Sequence, residues 1–184
     1  MKVKTLFLIC FLSITCLLNA ADKPVIQIHT DNSSLIFRIA DNGRLYQSYL
    51  GKKLSHETDI SHLPHGTEAY ITHGMEDYFE PAIHILHNDG NPSLLLKYVS
   101  HETKAVSQGV NETIITLGDD KYPVTVKLHY VTYPAEDIIK TYTEISHKEK
   151  KPVVLHQYAS SMLHLNRAKY YLTEFAGDWA HEAN

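Results

Sequence analysis

From residue 25 onward, apolar and polar positions alternate with a period of two in run after run. Residues 25–30 place Ile26 and Ile28 on one face and Val25 and Gln27 on the other, the signature of a half-buried strand. Residues 35–40 form a second run, closed by Asp41-Asn42-Gly43, which is hairpin chemistry between two apolar segments. Residues 44–50 return with Leu45 and Gln47 opposite Tyr46 and Ser48. Residues 64–81 are polar, aromatic and acidic without a sustained period, and read as a loop. In residues 83–87, Ile83, Ile85 and His87 share one face, with His84 and Leu86 on the other. Asp89-Gly90-Asn91-Pro92 is strong turn chemistry, so residues 93–102 are expected to pair back onto 83–87 as a hairpin. Thr113 to Leu117 is a β-branched run, followed by a turn at Gly118-Asp119-Asp120. In residues 123–133, Val124, Val126, Leu128 and Tyr130 alternate with Thr125, Lys127 and His129. Residues 138–146 form another strand, the charged run 147–151 reads as a solvated hairpin tip, and residues 152–165 and 169–175 read as further strands. Helical periodicity is absent after the first twenty residues. About ten strands with turns every eight to twelve residues predict an all-β fold, an antiparallel two-sheet sandwich.

The first twenty residues follow different rules. Lys2 and Lys4 precede an apolar run over residues 6–18, and small residues follow at Asn19-Ala20-Ala21. This pattern predicts a signal peptide over residues 1–20, too short and wrongly flanked for a stable membrane span. A lipoprotein reading centred on Cys16 is the alternative, although Ser13-Ile14-Thr15 is a poor lipobox. Both cysteines, Cys10 and Cys16, lie in this leader. An exported domain over residues 21–184 without thiols fits a bacterial periplasm better than a disulfide-stapled extracellular setting.

The net charge of −4 leaves no basic stripe to replace phosphate counterions, which excludes a nucleic-acid partner. Thirteen histidines invite a metal, and His56, Glu57, Asp59, His62 and His65 cluster in one segment. Neither HExxH nor CxxC spacing occurs, and His84 and His87 point to opposite faces of a strand, so surface and core roles are the default. Glu76, Asp77 and Glu80 could be paired carboxylates, but turn capping and local ion pairing explain them equally well. No nucleophile elbow, phosphate loop or dinucleotide fingerprint is present. From the residues alone, a binding or structural sandwich is expected, with no cofactor and no self-contained catalytic centre.

Several stretches then fall into a known order. Tyr49-Leu50-Gly51-Lys52 resembles the Tyr-Trp-Gly-Lys segment of family-36 glycoside hydrolases, the microbial α-galactosidases. In residues 70–81, Tyr70, Gly74, Asp77, Tyr78 and Pro81 are similar to the family's Tyr-Pro-x-x-Gly-x-x-Asp-Phe-Arg-x-Pro segment. Gly177, Trp179 and Glu182 resemble the Gly-x-Trp-x-Arg-Glu motif that closes its N-terminal domain. Leu50 replaces the usual Trp, and the loop over residues 55–68 is shorter than in well-known members. The resemblance implies a β-supersandwich, followed in the family by a (β/α)₈ catalytic barrel. That barrel holds the two aspartates of a retaining mechanism, so it implies no catalytic residue in this sequence. It also implies α-galactoside oligosaccharides as ligands, homo-oligomerisation, and a substrate-binding aspartate in the loop after Tyr49-Leu50-Gly51-Lys52. Asp59 is the aspartate there; its alternative role is a turn-former before Ile60. Besides the N-terminal domain of an α-galactosidase, two readings remain open. One is a non-catalytic carbohydrate-binding or oligomerisation module; the other is the equivalent domain of another exo-glycosidase.

Overall fold

The computed structural model describes residues 23–74 and 79–165. In chain order its strands are β1 (Val25–His29), β2 (Ser33–Ile39), β3 (Leu45–Lys52), β4 (Thr67–Glu68), β5 (Ile83–Leu86), β6 (Leu96–Ser107), β7 (Val110–Asp119), β8 (Val124–Tyr133), β9 (Ile138–His147) and β10 (Val154–Tyr158). One short helix, α1 (Glu57–Ser61), lies between β3 and β4. The first four strands form one antiparallel sheet in the order β1-β2-β3-β4, and a second runs β6-β7-β8-β9. β5 and β10 pair as a separate antiparallel ribbon. The architecture is an all-β antiparallel sandwich.

Alternation in the sequence explains the core. Ile26, Ile28, Leu35 and Phe37 point inward from the first sheet, and Ile115, Leu117, Val126, Leu128 and Tyr130 from the second. Ile83 and Ile85 from the ribbon join the same cluster. The Phe37 and Tyr130 rings meet across the sheets at 5.2 Å between centroids. Burying one such side chain contributes about 1.5–3 kcal/mol. The Asp41-Asn42-Gly43 turn forms as expected, with Gly43 donating to the Ala40 carbonyl at 2.9 Å. β6 is an edge strand whose register shifts past Val99 and Val106, both exposed. Such bulges spoil an edge as a template for further pairing.

Four expectations are corrected. The turn after β5 is real, since His87 N–H donates to the Asn91 carbonyl and Gly90 N–H to the His87 carbonyl, both at 2.9 Å. Its flanking strands do not pair, however: β5 joins β10 and β6 joins β7. The charged run after β9 is likewise a crossover between sheets rather than a hairpin tip, and its Glu149 side chain is only 2% exposed. The long strand expected over residues 152–165 shrinks to the five residues of β10, because the chain beyond it bonds to several different elements instead of one ladder. Finally, α1 interrupts a segment read as loop; five residues are too few to show a helical period. The leader with Cys10 and Cys16, the Glu76, Asp77 and Tyr78 positions, the expected strand over 169–175 and the Gly177, Trp179 and Glu182 motif lie outside the described residues.

Candidate functional site

The segment carrying Asp59 is clamped to the outer face of the first sheet. Ile36, fully buried, points away from the core side occupied by Leu35 and Phe37, toward the face that carries α1 and its buried Ile60. Three side chains of the sheet hold the segment. Ser34 Oγ accepts from Leu54 N–H at 2.9 Å, Arg38 Nη2 donates to the Ile60 carbonyl, and Ser48 Oγ donates to the His65 carbonyl at 3.0 Å. Ser48 is free to do so because the β2–β3 register shifts between Ile36 and Phe37, leaving it unpaired in the ladder. Gly66 completes the clamp. Its φ is +82°, and an added Cβ would lie 1.8 Å from the Gln47 carbonyl oxygen, so no other residue fits this backbone approach.

On this platform Asp59 is exposed, with its backbone N–H donating to the His56 carbonyl at 3.1 Å. Among the described residues its carboxylate forms no hydrogen bond or ion pair. The neighbouring histidines are engaged locally: His62 Nδ1 lies 2.6 Å from the Thr58 carbonyl. Among the described residues, no group of three His, Cys, Asp or Glu side chains is placed to hold an ion. Beside α1 lies an open cavity of about 330 Å³ lined by Val25, Gln27, Arg38, Glu57, Ile60 and Ser61. Sequence reading missed Arg38 and Gln27 there, because nothing in a strand pattern marks which outward side chain a distant helix will meet.

The motif over residues 70–81 has a structural explanation. Tyr70 is 1% exposed and its hydroxyl donates to the Ala159 carbonyl at 2.8 Å; burial raises its pKa. Gly74 has φ +84°, and a Cβ there would meet Ser93 Oγ at 2.9 Å and Ser93 Cα at 3.0 Å. The Pro81 carbonyl accepts from Gln157 Nε2 at 3.0 Å, and Glu80 accepts from the same amide at 2.9 Å. Glu80 is thus a structural acceptor. His84 lies between two other imidazoles, with ring centroids 3.8 Å from His73 and 4.8 Å from His156. Burial, with those neighbours, lowers the His84 pKa.

The end of the described chain is held as firmly. Gln47, fully buried, donates to the His164 carbonyl at 2.7 Å and accepts from the His164 N–H at 3.1 Å. The His164 ring reaches the Glu68 carbonyl at 2.7 Å. Around this exit, Val154, Leu155, Tyr158, Leu163 and Leu165 are 42–61% exposed.

The outer face of the second sheet carries a polar ladder. Glu112 accepts from the Tyr142 hydroxyl at 2.5 Å, pairs with Lys104 at 2.9 Å and lies 2.9 Å from His129 Nδ1. These bonds, Tyr142 first, lower the Glu112 pKa to about 2.

The glycosyl hydrolase family 36 N-terminal domain profile matches residues 42–184. No curated protein matches the chain. Among solved structures, an α-galactosidase from Lactobacillus brevis superposes with a TM-score of 0.72 at 20% identity, covering 88% of this chain and 26% of that one. The GH36 α-galactosidase AgaA from Geobacillus stearothermophilus, in complex with raffinose, superposes with a TM-score of 0.67 at 18% identity, covering 74% of this chain and 24% of that one. The galactosidase domain of AgaSK, an α-galactosidase–sucrose kinase, gives 0.67 at 19%, again over 74% and 24%. The chain therefore spans about a quarter of the length of the structures it matches. The profile match over most of the sequence, on a sandwich of the same architecture, shows that the chain belongs to the glycosyl hydrolase family 36 N-terminal domain family.

Proposed function

We propose that this chain is the N-terminal domain of an exported α-galactosidase, an enzyme that removes terminal α-galactosyl groups from oligosaccharides with retention of configuration. The family match over residues 42–184 carries the reading, and the α-galactosidases among its structural neighbours support it. In this reading the exposed apolar side chains at the exit, Leu155, Tyr158, Leu163 and Leu165, pack against a catalytic barrel that follows. The two catalytic aspartates belong to that barrel. Asp59 extends from α1 to accept hydrogen bonds from substrate hydroxyls, within a homo-oligomer whose subunits complete one another's pockets.

A chromogenic α-galactoside tests the reading in two arms. The 184-residue chain is expected to show no turnover, and the product of the reading frame continued downstream is expected to hydrolyse it. Turnover by the short chain, or none by the long one, overturns the proposal. Export is tested separately by N-terminal sequencing of the secreted form. Cleavage beside Ala20 or Ala21 is expected; a retained Met1 or a lipid-modified Cys16 counts against it.

A further inference from the structure

We propose that the cavity between β1, β2 and α1 binds a neutral, hydroxyl-rich ligand, one sugar unit, through Arg38, Gln27 and Glu57. The choice of a sugar rests on the carbohydrate-active reading above, while the polarity of the ligand follows from the cavity itself. At about 330 Å³ it lies at the small end of ligand pockets. Arg38 lines it with an incomplete set of partners. One Nη donates to the Ile60 carbonyl, while Nε is buried with no partner among the described residues. Among the described residues no carboxylate pairs with this guanidinium, although a partly buried arginine ordinarily collects one. Glu57 lines the same cavity and also forms no ion pair among the described residues. Gln27 uses its carbonyl oxygen on His29 at 3.1 Å, which leaves its amide N–H groups for a ligand.

The two unpaired charges of opposite sign decide the ligand class. An anion drawn to Arg38 is opposed by Glu57, and a cation drawn to Glu57 is opposed by Arg38. A neutral ligand with adjacent hydroxyls satisfies both, because each hydroxyl donates and accepts. Hydroxyls donate to Glu57 and accept from Arg38 and Gln27, while the C–H face of the ring rests on Val25 and Ile60. The site is separate from Asp59. Glu57, Ile60 and Ser61 share one face of α1 by their spacing of three and four, and Asp59 falls on the other.

The test is a titration of the isotope-labelled 184-residue chain with methyl α-galactoside, followed by amide NMR shifts, alongside methyl α-glucoside and galacturonate. Saturable shifts at Gln27, Arg38, Glu57 and Ser61 are expected with a neutral glycoside. Glu57→Gln is the informative variant, since Glu57 forms no hydrogen bond or ion pair among the described residues; it should weaken binding about tenfold. Arg38→Lys should weaken it comparably, with circular dichroism reporting whether α1 survives. Asp59→Asn should leave it unchanged. No saturable shift up to roughly 100 mM, no effect of Glu57→Gln, or tighter binding of galacturonate each overturns the site. Hydrolysis by the longer product without binding here removes this inference and keeps the galactosidase reading. Glycoside binding here without hydrolysis does the reverse.

Discussion

His87 and Glu149, 62 positions apart in the chain, meet inside the protein with Nδ1 2.7 Å from Oε1. Their side chains are 0% and 2% exposed. His87 Nε2 lies 3.1 Å from the Ser93 carbonyl, so both ring nitrogens face acceptors. The ring stacks on Tyr122 at 3.6 Å between centroids, and Asn88 donates to Glu149 from both backbone and side chain. One carboxylate thus ties the crossover between β9 and β10 to the turn after β5.

Glu149→Ala should therefore destabilise the fold by about 2–3 kcal/mol, because it strands a buried donor. Glu149→Gln should recover part of this, since an amide oxygen still accepts. Urea midpoints of the two variants check the order; equal midpoints would remove the pair from the list of fold determinants. Burial alone would raise the Glu149 carboxyl, but the bonds from His87 and Asn88 outweigh it and lower the pKa. The sign follows: its contribution is present above the ordinary carboxylate range and is lost as pH falls through the depressed value.

Glu112 behaves the same way on the outer face of the second sheet, where Lys104, His129 and Tyr142 cover it. Its pKa falls from 4.5 to about 2. The stabilisation it brings is complete above the unfolded value and drains away as pH drops from 4.5 toward 2. Its cationic partner Lys104 is half exposed, and solvent screening of that pair limits the contribution to about 1 kcal/mol. Melting temperatures of the wild type and Glu112→Gln should differ at pH 6 and converge at the acid end of that window. A gap that stays constant with pH would show that the ladder does not act through this charge.

Two glycines with nearly the same φ should respond differently to alanine. Gly90, at +83°, has open space where a Cβ would go, so Gly90→Ala should cost about 1–2 kcal/mol from left-handed strain alone. At Gly66 the added carbon also strikes the Gln47 carbonyl, and the total should reach about 3 kcal/mol or more. Equal losses at the two sites would contradict the close approach that seats the α1 segment.

Asp59→Asn should leave the unfolding free energy within about 0.5 kcal/mol of wild type, and so the melting temperature nearly unchanged, because its carboxylate is exposed and forms no hydrogen bond or ion pair among the described residues. In the longer enzyme proposed above it should raise KM if it acts on binding, or lower both kcat and kcat/KM if it acts in the transition state. Normal kinetics with a lowered melting temperature would instead make Asp59 a turn residue.

Local chemistry was enough to place most of the strands. The alternation from Val124 to Tyr130 and the Asp41-Asn42-Gly43 turn each depend on residues close in sequence, and both stand in the structure. The motif order from Tyr49 onward also revealed the family. Pairing partners were a different matter. Asp89-Gly90-Asn91 does turn the chain, yet β5 takes β10 as its partner and leaves β6 to β7. A turn signal reports only that the chain reverses; which edge a strand joins depends on burying Ile83 and Ile85 in a core built by distant segments. The same reason hides Glu149, whose charged neighbours Lys148, Lys150 and Lys151 disguise a side chain destined for the interior. Asp59 is proposed from the sequence because a motif precedes it. The cavity of Arg38, Gln27 and Glu57 could not be, since the bulge at Ser48, the close approach of Gly66 and the bonds of Ser34 to Leu54 and Arg38 to Ile60 bring α1 down onto β1 and β2.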